Sequence, residues 1–509
     1  MTDTSPENAT GTLNEADSPL LRGTASRLVR SLAVYGVANF GIRGLSFILV
    51  LFYAHYLYPS DYGIIYLAEI VASFLIIFGN LSIDSALQRL YFQYNSDRET
   101  LRGYLGSSIR FGFCWMSVLL VATFVGGVSI APHLRVSVGV PFYPYIAMAI
   151  VTAAATQGVQ YRLAVYQAER RPRSYAILSL FVFLFTASCC IYGVVVLHRR
   201  ALGMLEGKLI AAVVALIVAS WSMRGLLIAR FEWRFVRESL SFSLPLLPHL
   251  VMASGLVVAD RFILEQYRNL SEVGIYSLAY TLGMVMFLVT QTLSQAWLPM
   301  FFELASGQEE NRLLLSRICS GLVIFLVAIA CLGMLLSPPF VRIALDHRYS
   351  TAAPIVPLVI MGYLFHALFS LFNISIMQAK RTGSVFLISL LAFSANLVLN
   401  FAMIPKWGMN GAAWATTIAY AIEAMVAYIV AQHFFALKYQ LPKIFAALGV
   451  GGAVVWLTQS SWVLKWHGIL PIVCVAPALG ILVLVGRRDL RMTVGAVQKM
   501  QKRELLTVD

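Results

Sequence analysis

The feature that most constrains this chain is an internal repeat, in which short segments return 211 residues further along. The segment 60–64, Ser-Asp-Tyr-Gly-Ile, returns at 271–275 as Ser-Glu-Val-Gly-Ile. Gln-Ala-Glu-Arg at 167–170 returns at the same offset as Gln-Ala-Lys-Arg at 378–381. Two duplicated bundles are the simplest interpretation. Because transporters are often built from related halves with the substrate path between them, the repeat indicates transport.

Composition places these bundles in a membrane. Hydrophobic residues make up 59% of the chain and charged residues 12%, and the mean hydropathy is +0.77. A spanning helix needs about 20 mostly apolar residues. The sequence therefore predicts an all-α integral membrane protein with about 14 transmembrane helices. The predicted spans lie within 31–54, 62–83, 104–129, 141–163, 174–196, 202–223, 240–264, 273–298, 316–337, 352–378, 384–404, 410–434, 444–459 and 469–486.

The distribution of basic residues predicts the orientation, since Lys and Arg are retained on the cytoplasmic side. Most of the 38 Lys and Arg residues fall in the N-terminal segment, the even-numbered connections and the C-terminal tail. We therefore expect both termini in the cytoplasm. This asymmetry also explains most of the formal charge of +14, which suits anionic lipid headgroups and does not indicate a nucleic-acid partner.

The connections between spans argue against an enzyme. The longest runs from Met300 to Arg317, which leaves no room for an extramembrane catalytic domain. Residues 203–208, Gly-Met-Leu-Glu-Gly-Lys, are too short for a phosphate-binding loop, and no Ser or Thr follows the lysine. We therefore expect no enzymatic activity and no cofactor. Uphill movement would draw on an ion gradient or on consumption of the product.

Cysteines and histidines give no sign of a disulfide framework or a metal site. The six cysteines all fall in apolar spans without paired loop spacing. The eight histidines show no ligand spacing on a common helix face. Residues 1–29 are polar and carry no signal-peptide pattern, so we expect a disordered cytoplasmic tail.

Motifs in the second half resemble those of the bacterial polysaccharide flippase family, which belongs to the multidrug, oligosaccharidyl-lipid and polysaccharide exporter superfamily. The resemblance covers about residues 30–435. It is carried by Ser-Leu-Pro-Leu-Leu-Pro-His at 243–249, Asp-Arg-Phe-Ile-Leu at 260–264, Val-Gly-Ile-Tyr-Ser-Leu-Ala-Tyr at 273–280, Gln-Ala-Trp-Leu-Pro at 295–299, Asn-Leu-Val-Leu-Asn at 396–400, Ile-Pro at 404–405, and Gly-Met-Asn-Gly-Ala-Ala-Trp-Ala-Thr at 408–416.

The resemblance implies two six-helix lobes in a V around a central cavity, with alternating access. The two further C-terminal helices are predicted from hydropathy only. The resemblance also implies export of a polyprenyl-diphosphate-linked oligosaccharide across the bacterial inner membrane for surface polysaccharide biosynthesis, with membrane lipid and a glycan polymerase complex as partners. The expected divisions are a tail at 1–29, lobes at 30–238 and 239–436, two helices in 437–487 and a basic tail at 488–509.

Arginines inside spans are the first candidates for contacting such a cargo, because charged groups there usually face a bundle interior or a water-filled cavity. Arg43 lies roughly 20 Å into the first span, at about 1.5 Å per residue. Its planar guanidinium can bind phosphate oxygens bidentately. The alternative is an arginine paired with a carboxylate for packing.

Asp260 and Arg261 lie toward the outer end of the seventh predicted span. Neighbours on a helix point about 100° apart, so we expect that the two do not simply neutralise one another and that at least one meets another helix or the cavity. Arg261 would hold the diphosphate at the outward exit, with Asp260 orienting it. A structural ion pair is the alternative interpretation.

Further polar positions complete the candidate set. Gln291 with Gln295, and Asn396 with Asn400, share helix faces and would contact sugar hydroxyls or hold helices together. Pro245 and Pro248 predict a kink. The remaining ionisable candidates are Arg89 and Arg110 for the substrate, and Glu69, Asp84 and Glu423 for a coupling proton or sodium ion.

Three other functions stay open at this point. A multidrug exporter of the same superfamily would exchange cationic drugs for protons or sodium, and its site would favour carboxylates and aromatics over arginines. A flippase for the lipid-linked peptidoglycan precursor would also be cationic inside. An accessory scaffold for glycan synthesis would move nothing when reconstituted alone.

Overall fold

The structure is a computed structural model, and it describes residues 41–94, 97–129, 139–227, 230–305, 309–379 and 381–459. Over these residues the chain is helical, with short turns between helices. The predicted tails at 1–29 and 488–509 and the predicted span at 469–486 lie outside the described residues.

The helices of the first half are α1 (Gly41–Tyr56), α2 (Pro59–Asn80), α3 (Ile83–Tyr94), α4 (Arg98–Ser129), α5 (Ala147–Ala168), α6 (Pro172–Ile191) and α7 (Arg200–Leu227). Those that follow are α8 (Trp233–Ser243), α9 (Leu247–Tyr267), α10 (Leu270–Gly283), α11 (Val285–Ala305), α12 (Glu309–Ala344), α13 (Ile355–Gln378), α14 (Thr382–Phe434) and α15 (Leu441–Gln459).

The described part of every predicted span up to 444–459 falls on a helix or on two consecutive helices. Within the described ranges, 10 helices are long and apolar enough to cross a membrane, or 11 if the bent pair α8–α9 counts as one span. The all-helical membrane fold is therefore confirmed, whereas the count of fourteen is not. Part of the difference lies in α14, which runs through two predicted spans and is broken at Gly408 (φ 54°, ψ −133°).

The helices pack into two groups that follow the order of the chain. In the first half, α5 and α7 lie side by side, with α2 against α5 and α6 against α7. In the second half, α13 is the central helix and packs against α10, α11, α12 and α14. Small and apolar side chains allow this close packing, as in other membrane helix bundles. We call the groups the N-terminal bundle (α1–α7) and the C-terminal bundle (α9–α14).

The two bundles meet where α2 crosses α10, at the repeated segments. A Cβ atom on Gly274 would stand 2.8 Å from the backbone nitrogen of Gly63, and one on Gly63 would stand 2.9 Å from the carbonyl carbon of Leu270. The Gly274 position also lies against the carbonyl of Pro59. Residues 59 and 63 match 270 and 274 at the repeat offset, so the crossing is nearly symmetric. Only glycine leaves room for this backbone contact.

The chain passes between the bundles through a bend at the predicted proline kink. A short turn, Leu244–Leu246, separates α8 from α9, and the two helices are inclined by 46°. Before the bend, α8 packs against α3 and α4, whereas α9 packs against α14. The predicted lobe boundary between residues 238 and 239 lies inside α8. Pro245 and Pro248 remove backbone donors at this point, which explains the bend.

The glycine crossing predicts a specific sensitivity to one added methyl group. Gly63→Ala and Gly274→Ala each place a Cβ against backbone atoms that cannot rotate away, so we expect each to lower the free energy of unfolding by about 1–3 kcal/mol. Gly449→Ala in α15 is the matched control, because nothing lies within 4 Å of its added Cβ. Alanine there should be neutral or stabilising by about 0.5–1 kcal/mol. Thermal unfolding of the purified variants measures both, and equal behaviour of all three would refute the tight crossing.

Candidate functional site

Polar contacts reinforce the end of the molecule where α2 crosses α10, which we call the closed end. In the turn between α12 and α13, the Arg348 guanidinium donates to the backbone carbonyl of His55 (3.1 Å), and the Tyr349 hydroxyl donates to the carbonyl of Leu57 (2.9 Å). The hydroxyls of Tyr66 and Thr281 lie 2.8 Å apart across the crossing. The C-terminal bundle is thus joined by hydrogen bonds to α1 and α2.

Asp346 orients the arginine that makes one of these contacts. Its two carboxylate oxygens accept from Nε and Nη2 of Arg348, at 2.9 and 3.1 Å. Because these hydrogen bonds favour the charged form, the pKa of Asp346 falls to about 2. Asp346 therefore stays ionised through the physiological range, and its contribution to stability is lost only as the pH falls through the range below its usual pKa of about 4.

A buried charge network lies inside the C-terminal bundle, between α9, α10 and α14. Asp260 is fully buried and Arg261 nearly so. The Tyr276 hydroxyl donates to Oδ2 of Asp260 (2.5 Å), and Thr416 donates to the same oxygen (3.5 Å). The guanidinium of Arg261 lies over the ring of Tyr280, with 4.4 Å from Cζ to the ring centroid. Each charge therefore has partners on another helix.

Asp260 and Arg261 also pair directly, which corrects the expectation that neighbours on a helix do not neutralise one another. Nη1 of Arg261 lies 3.0 Å from Oδ1 of Asp260 and also donates to the carbonyl of Val257. The long arginine side chain folds back along its own helix, so the angle between adjacent Cα–Cβ bonds does not keep the charges apart. In this conformation the pair is enclosed by helices, and a role for Arg261 in holding diphosphate stays a prediction.

Asn396 and Asn400 extend this network along α14. Nδ2 of Asn400 donates to Oδ1 of Asn396 (2.8 Å), and Nδ2 of Asn396 donates to the hydroxyl of Thr416 (3.3 Å). Both asparagines are fully buried. In this conformation they connect the two halves of α14 to Asp260, which fits the interhelical alternative more directly than contact with a sugar.

Two carboxylates proposed for ion coupling have basic neighbours. Glu69 on α2 forms an ion pair with Lys208 on α7. Glu423 on α14 is buried, and its Oε2 lies 3.3 Å from Nδ1 of His366 on α13. The third candidate, Asp84, accepts a hydrogen bond from the Asn80 amide (2.8 Å). The coupling roles stay predictions.

A polar cavity of about 640 Å³ opens at the opposite end, which we call the basic end. It is lined by one face of α3, with Gln88, Arg89 and Gln93, and by Gln167 at the end of α5. Arg89 is exposed and stands over the ring of Phe242 on α8, with 5.2 Å from Cζ to the ring centroid. The cavity therefore joins an arginine to three amide side chains beside the helix that leads into the C-terminal bundle.

The other candidates do not join one site. Arg43 is exposed on α1, and Gln295 is exposed on α11 with Gln291. Nε of Arg110 donates to the carbonyl of Gly106 (3.1 Å), and its guanidinium lies over Phe231. The structure therefore brings Asp260, Arg261, Asn396 and Asn400 together in one network and places Arg89 in a cavity at the far end.

The sequence indicated most of the charged residues inside the helices, but it did not indicate which residues they pair with. Lys208 lies near the start of a predicted span, but its partner Glu69 is 139 residues away, and no local spacing connects them. Tyr276 and Tyr280, whose rings lie beside the Arg261 guanidinium, were also missed as its partners. A signal existed for these tyrosines, because they lie four residues apart in the motif at 273–280 that carries the family resemblance.

Comparison with known proteins identifies the family. A family model described as polysaccharide biosynthesis protein matches residues 28–305. No curated protein matches the chain. Among solved structures, the lipid II flippase MurJ in an inward closed conformation matches with a TM-score of 0.67 at 17% identity, covering 90% of this chain and 99% of MurJ.

More distant structural similarity extends to multidrug transporters. An inward-facing multidrug resistance MATE transporter of the MOP superfamily matches with a TM-score of 0.53 at 11% identity, covering 82% of this chain and 95% of that one. A mutant of the Vibrio cholerae MATE transporter VcmN matches with a TM-score of 0.52 at 13% identity, covering 81% and 97%. These similarities show that the chain has the fold of this group of transporters.

The buried pair predicts a strong effect when one charge is removed. Asp260→Asn leaves the Arg261 guanidinium buried without its carboxylate, so we expect a loss of about 3–5 kcal/mol in the free energy of unfolding. The double variant Asp260→Asn/Arg261→Gln should recover part of that loss. Glu232→Gln, which removes an exposed pair with Arg234, should cost less than about 1 kcal/mol. Thermal unfolding compares them, and a silent Asp260→Asn would show that the pair is not a structural unit.

Proposed function

The chain belongs to the polysaccharide biosynthesis protein family, and from that premise we propose that it is a flippase for a polyprenyl-diphosphate-linked oligosaccharide. The lipid-linked oligosaccharide would be made at the cytoplasmic leaflet and moved to the periplasmic leaflet for surface polysaccharide biosynthesis. The observation that carries the proposal is a bundle pair sealed at one end and bearing an arginine- and glutamine-lined cavity at the other.

The closed end and the cavity at the basic end indicate which way the protein faces in the membrane. At the closed end the backbones of α2 and α10 touch at Gly63 and Gly274, which leaves no space for a sugar. At the basic end, arginines begin or follow several helices, and basic residues are retained on the cytoplasmic side. We propose that the basic end is cytoplasmic and that the described conformation faces inward, in a bacterial inner membrane with both termini in the cytoplasm.

The distribution of charge favours an anionic cargo. Arg43 and Arg89 have no carboxylate partner among the described residues, and Arg89 faces a cavity. The diphosphate would bind there through charge-assisted hydrogen bonds, and the amides of Gln88, Gln93 and Gln167 would bind sugar hydroxyls. A water-filled cavity also solves the physical problem of the headgroup, which cannot enter hydrocarbon without a polar lining.

The same distribution argues against export of cationic drugs. A drug cation needs a carboxylate that is free to pair with it. Among the candidate carboxylates, Asp260, Glu69 and Glu423 already have a basic neighbour at 4.0 Å or closer. Asp84 is the exception, since its described partner is the Asn80 amide. We retain Glu69 and Glu423 as the groups through which a proton or sodium gradient would act.

A lipid-linked peptidoglycan precursor is the second candidate cargo. The structural similarity to the lipid II flippase MurJ supports it through the fold alone. The family match favours a polysaccharide precursor instead. Both cargoes would present a diphosphate to the same arginines, so chemical identification of the accumulated lipid separates them.

The decisive experiment is mass spectrometry of lipids from cells that lack the protein, with surface polysaccharide measured in parallel. We expect a polyprenyl-diphosphate oligosaccharide to accumulate and the surface polymer to be lost. Cells complemented with Arg89→Gln should transport the lipid at a level about tenfold or more below that of cells complemented with wild type. This is the usual scale for one lost charge-assisted contact. Arg89→Lys should restore an intermediate level, and Arg237→Gln, an exposed arginine outside the cavity lining, should restore wild-type levels.

Each result has a distinct meaning. Accumulation of the peptidoglycan precursor alone would transfer the assignment to the second cargo. An unchanged lipid profile with intact surface polymer, in a strain without a second flippase, would reject both. Normal transport by Arg89→Gln would show that the basic-end cavity is not part of the path.

A further inference from the structure

A second basic cavity, of about 350 Å³, lies on the N-terminal bundle. It is enclosed by α3, α4, α5 and α7, so its walls all come from one bundle. Its charged lining consists of four arginines and one glutamate, Arg98, Arg102, Arg162, Arg171 and Glu169. Leu101, Leu105 and Leu226 form an apolar wall. The net charge of this lining is strongly positive.

Arg162 is the unusual member of this group because it is buried. Only 7% of the residue is exposed, and its guanidinium lies over the Tyr166 ring, with 3.8 Å from Cζ to the ring centroid. Its Nε has no hydrogen-bond partner among the described residues. The nearest carboxylate oxygen, Oε1 of Glu169, stands 4.0 Å from Nη1, which is too far for a hydrogen bond.

Glu169 does not neutralise the cavity, because it is shared. Its other oxygen, Oε2, lies 3.3 Å from Nε of Arg171. Arg98 and Arg102 are exposed at the cavity rim and have no carboxylate partner among the described residues. A buried guanidinium with an unused donor costs free energy unless an acceptor is supplied. An anion with several oxygens would satisfy Arg162 from inside and Arg98 and Arg102 from the rim.

The position of the cavity indicates the source of that anion. It lies where α4 begins and where α5 and α7 end, at the basic end of helices that are apolar enough to span a membrane. This is the level at which lipid phosphates are found, and basic cavities between membrane helices bind the headgroups of anionic lipids. The apolar wall of three leucines suits the glycerol and the upper part of an acyl chain.

We propose that this cavity is a binding site for the phosphate group of an anionic membrane phospholipid, with Arg162 as its inner ligand and Arg98 and Arg102 as its rim. The site shares no lining residue with the cavity assigned to the cargo, although the two linings adjoin on α3 and at the end of α5. The proposal does not depend on which cargo is carried. Bound lipid would fix α4, α5 and α7 to one another and so stabilise the N-terminal bundle against which the C-terminal bundle moves.

The test is thermal unfolding of the purified full-length protein in neutral detergent, titrated with phosphatidylglycerol, phosphatidylcholine or sodium pyrophosphate. A ligand that binds only the folded protein raises the midpoint as its concentration exceeds Kd. We expect phosphatidylglycerol to raise it, phosphatidylcholine to have little effect, and added salt to weaken the response. Arg98→Gln/Arg102→Gln should bind phosphatidylglycerol about tenfold or more weakly, because two charge-assisted contacts are lost.

The matched control is Arg234→Gln/Arg237→Gln, which removes the same charge from exposed positions of α8 at the same end and should respond like wild type. Arg162→Gln should also lose the response, and Arg162→Lys should recover little because lysine lacks the planar fork. Equal loss in both double variants would overturn the proposal, since the effect would then be one of surface charge. A midpoint that rises as much with pyrophosphate as with phosphatidylglycerol would assign the site to a soluble phosphate and overturn the lipid.

Discussion

Backbone contact between two glycines determines the architecture of this protein. Where α2 crosses α10, Gly63 and Gly274 bring the two bundles closer than any side chain would allow. The atoms that they meet belong to Pro59 and Leu270, which occupy equivalent positions in the repeat. The helices α2 and α10 are therefore two copies of one duplicated helix, and they contact each other almost symmetrically. Such a contact is rigid when closed, because it has no side chains that can adjust.

The position of the polar groups follows from this crossing. Just beyond it, the Tyr66 and Thr281 hydroxyls meet, and Arg348 and Tyr349 reach across to α1. Inside the bundles, charges are neutralised by partners on neighbouring helices, as with Glu69 on α2 and Lys208 on α7. At the basic end, arginines face cavities. Charged side chains between packed helices therefore have partners of opposite charge. The arginines at the basic end face cavities that a phosphate-bearing molecule can enter.

Much of this arrangement was predictable from sequence because it depends on periodicity and repetition. Hydropathy located the helices, the repeat indicated two bundles, and Pro245 and Pro248 indicated the bend between α8 and α9. The repeat also contained the crossing, since Gly63 and Gly274 are the same residue in its two copies. The sequence could not show that these glycines touch each other, because that contact depends on how the two bundles are docked.

Pairing of charges was less predictable, for two physical reasons. Long side chains reach along their own helix, so Asp260 and Arg261 pair although their Cα–Cβ bonds diverge. Other partners come from distant helices, as Lys208 does for Glu69 and His366 for Glu423. The buried position of Arg162 was also hidden, since a single arginine near the end of α5 carries no local sign that it lines a cavity.

Cargo should cross only when the bundles separate at the glycine crossing. This gating role is tested most directly by joining Tyr66→Cys to Thr281→Cys with a reducible bis-methanethiosulfonate cross-linker that spans the space left by the tyrosine ring, in a protein otherwise free of cysteine, and measuring flipping of the lipid-linked oligosaccharide in vesicles. The control joins Ser108→Cys to Ser239→Cys with the same reagent, at positions whose native hydroxyls lie 2.9 Å apart between α4 and α8. We predict that the first cross-link stops flipping, that reduction restores it, and that the control cross-link is tolerated. Undiminished flipping with the crossing locked would contradict the gating role of the crossing.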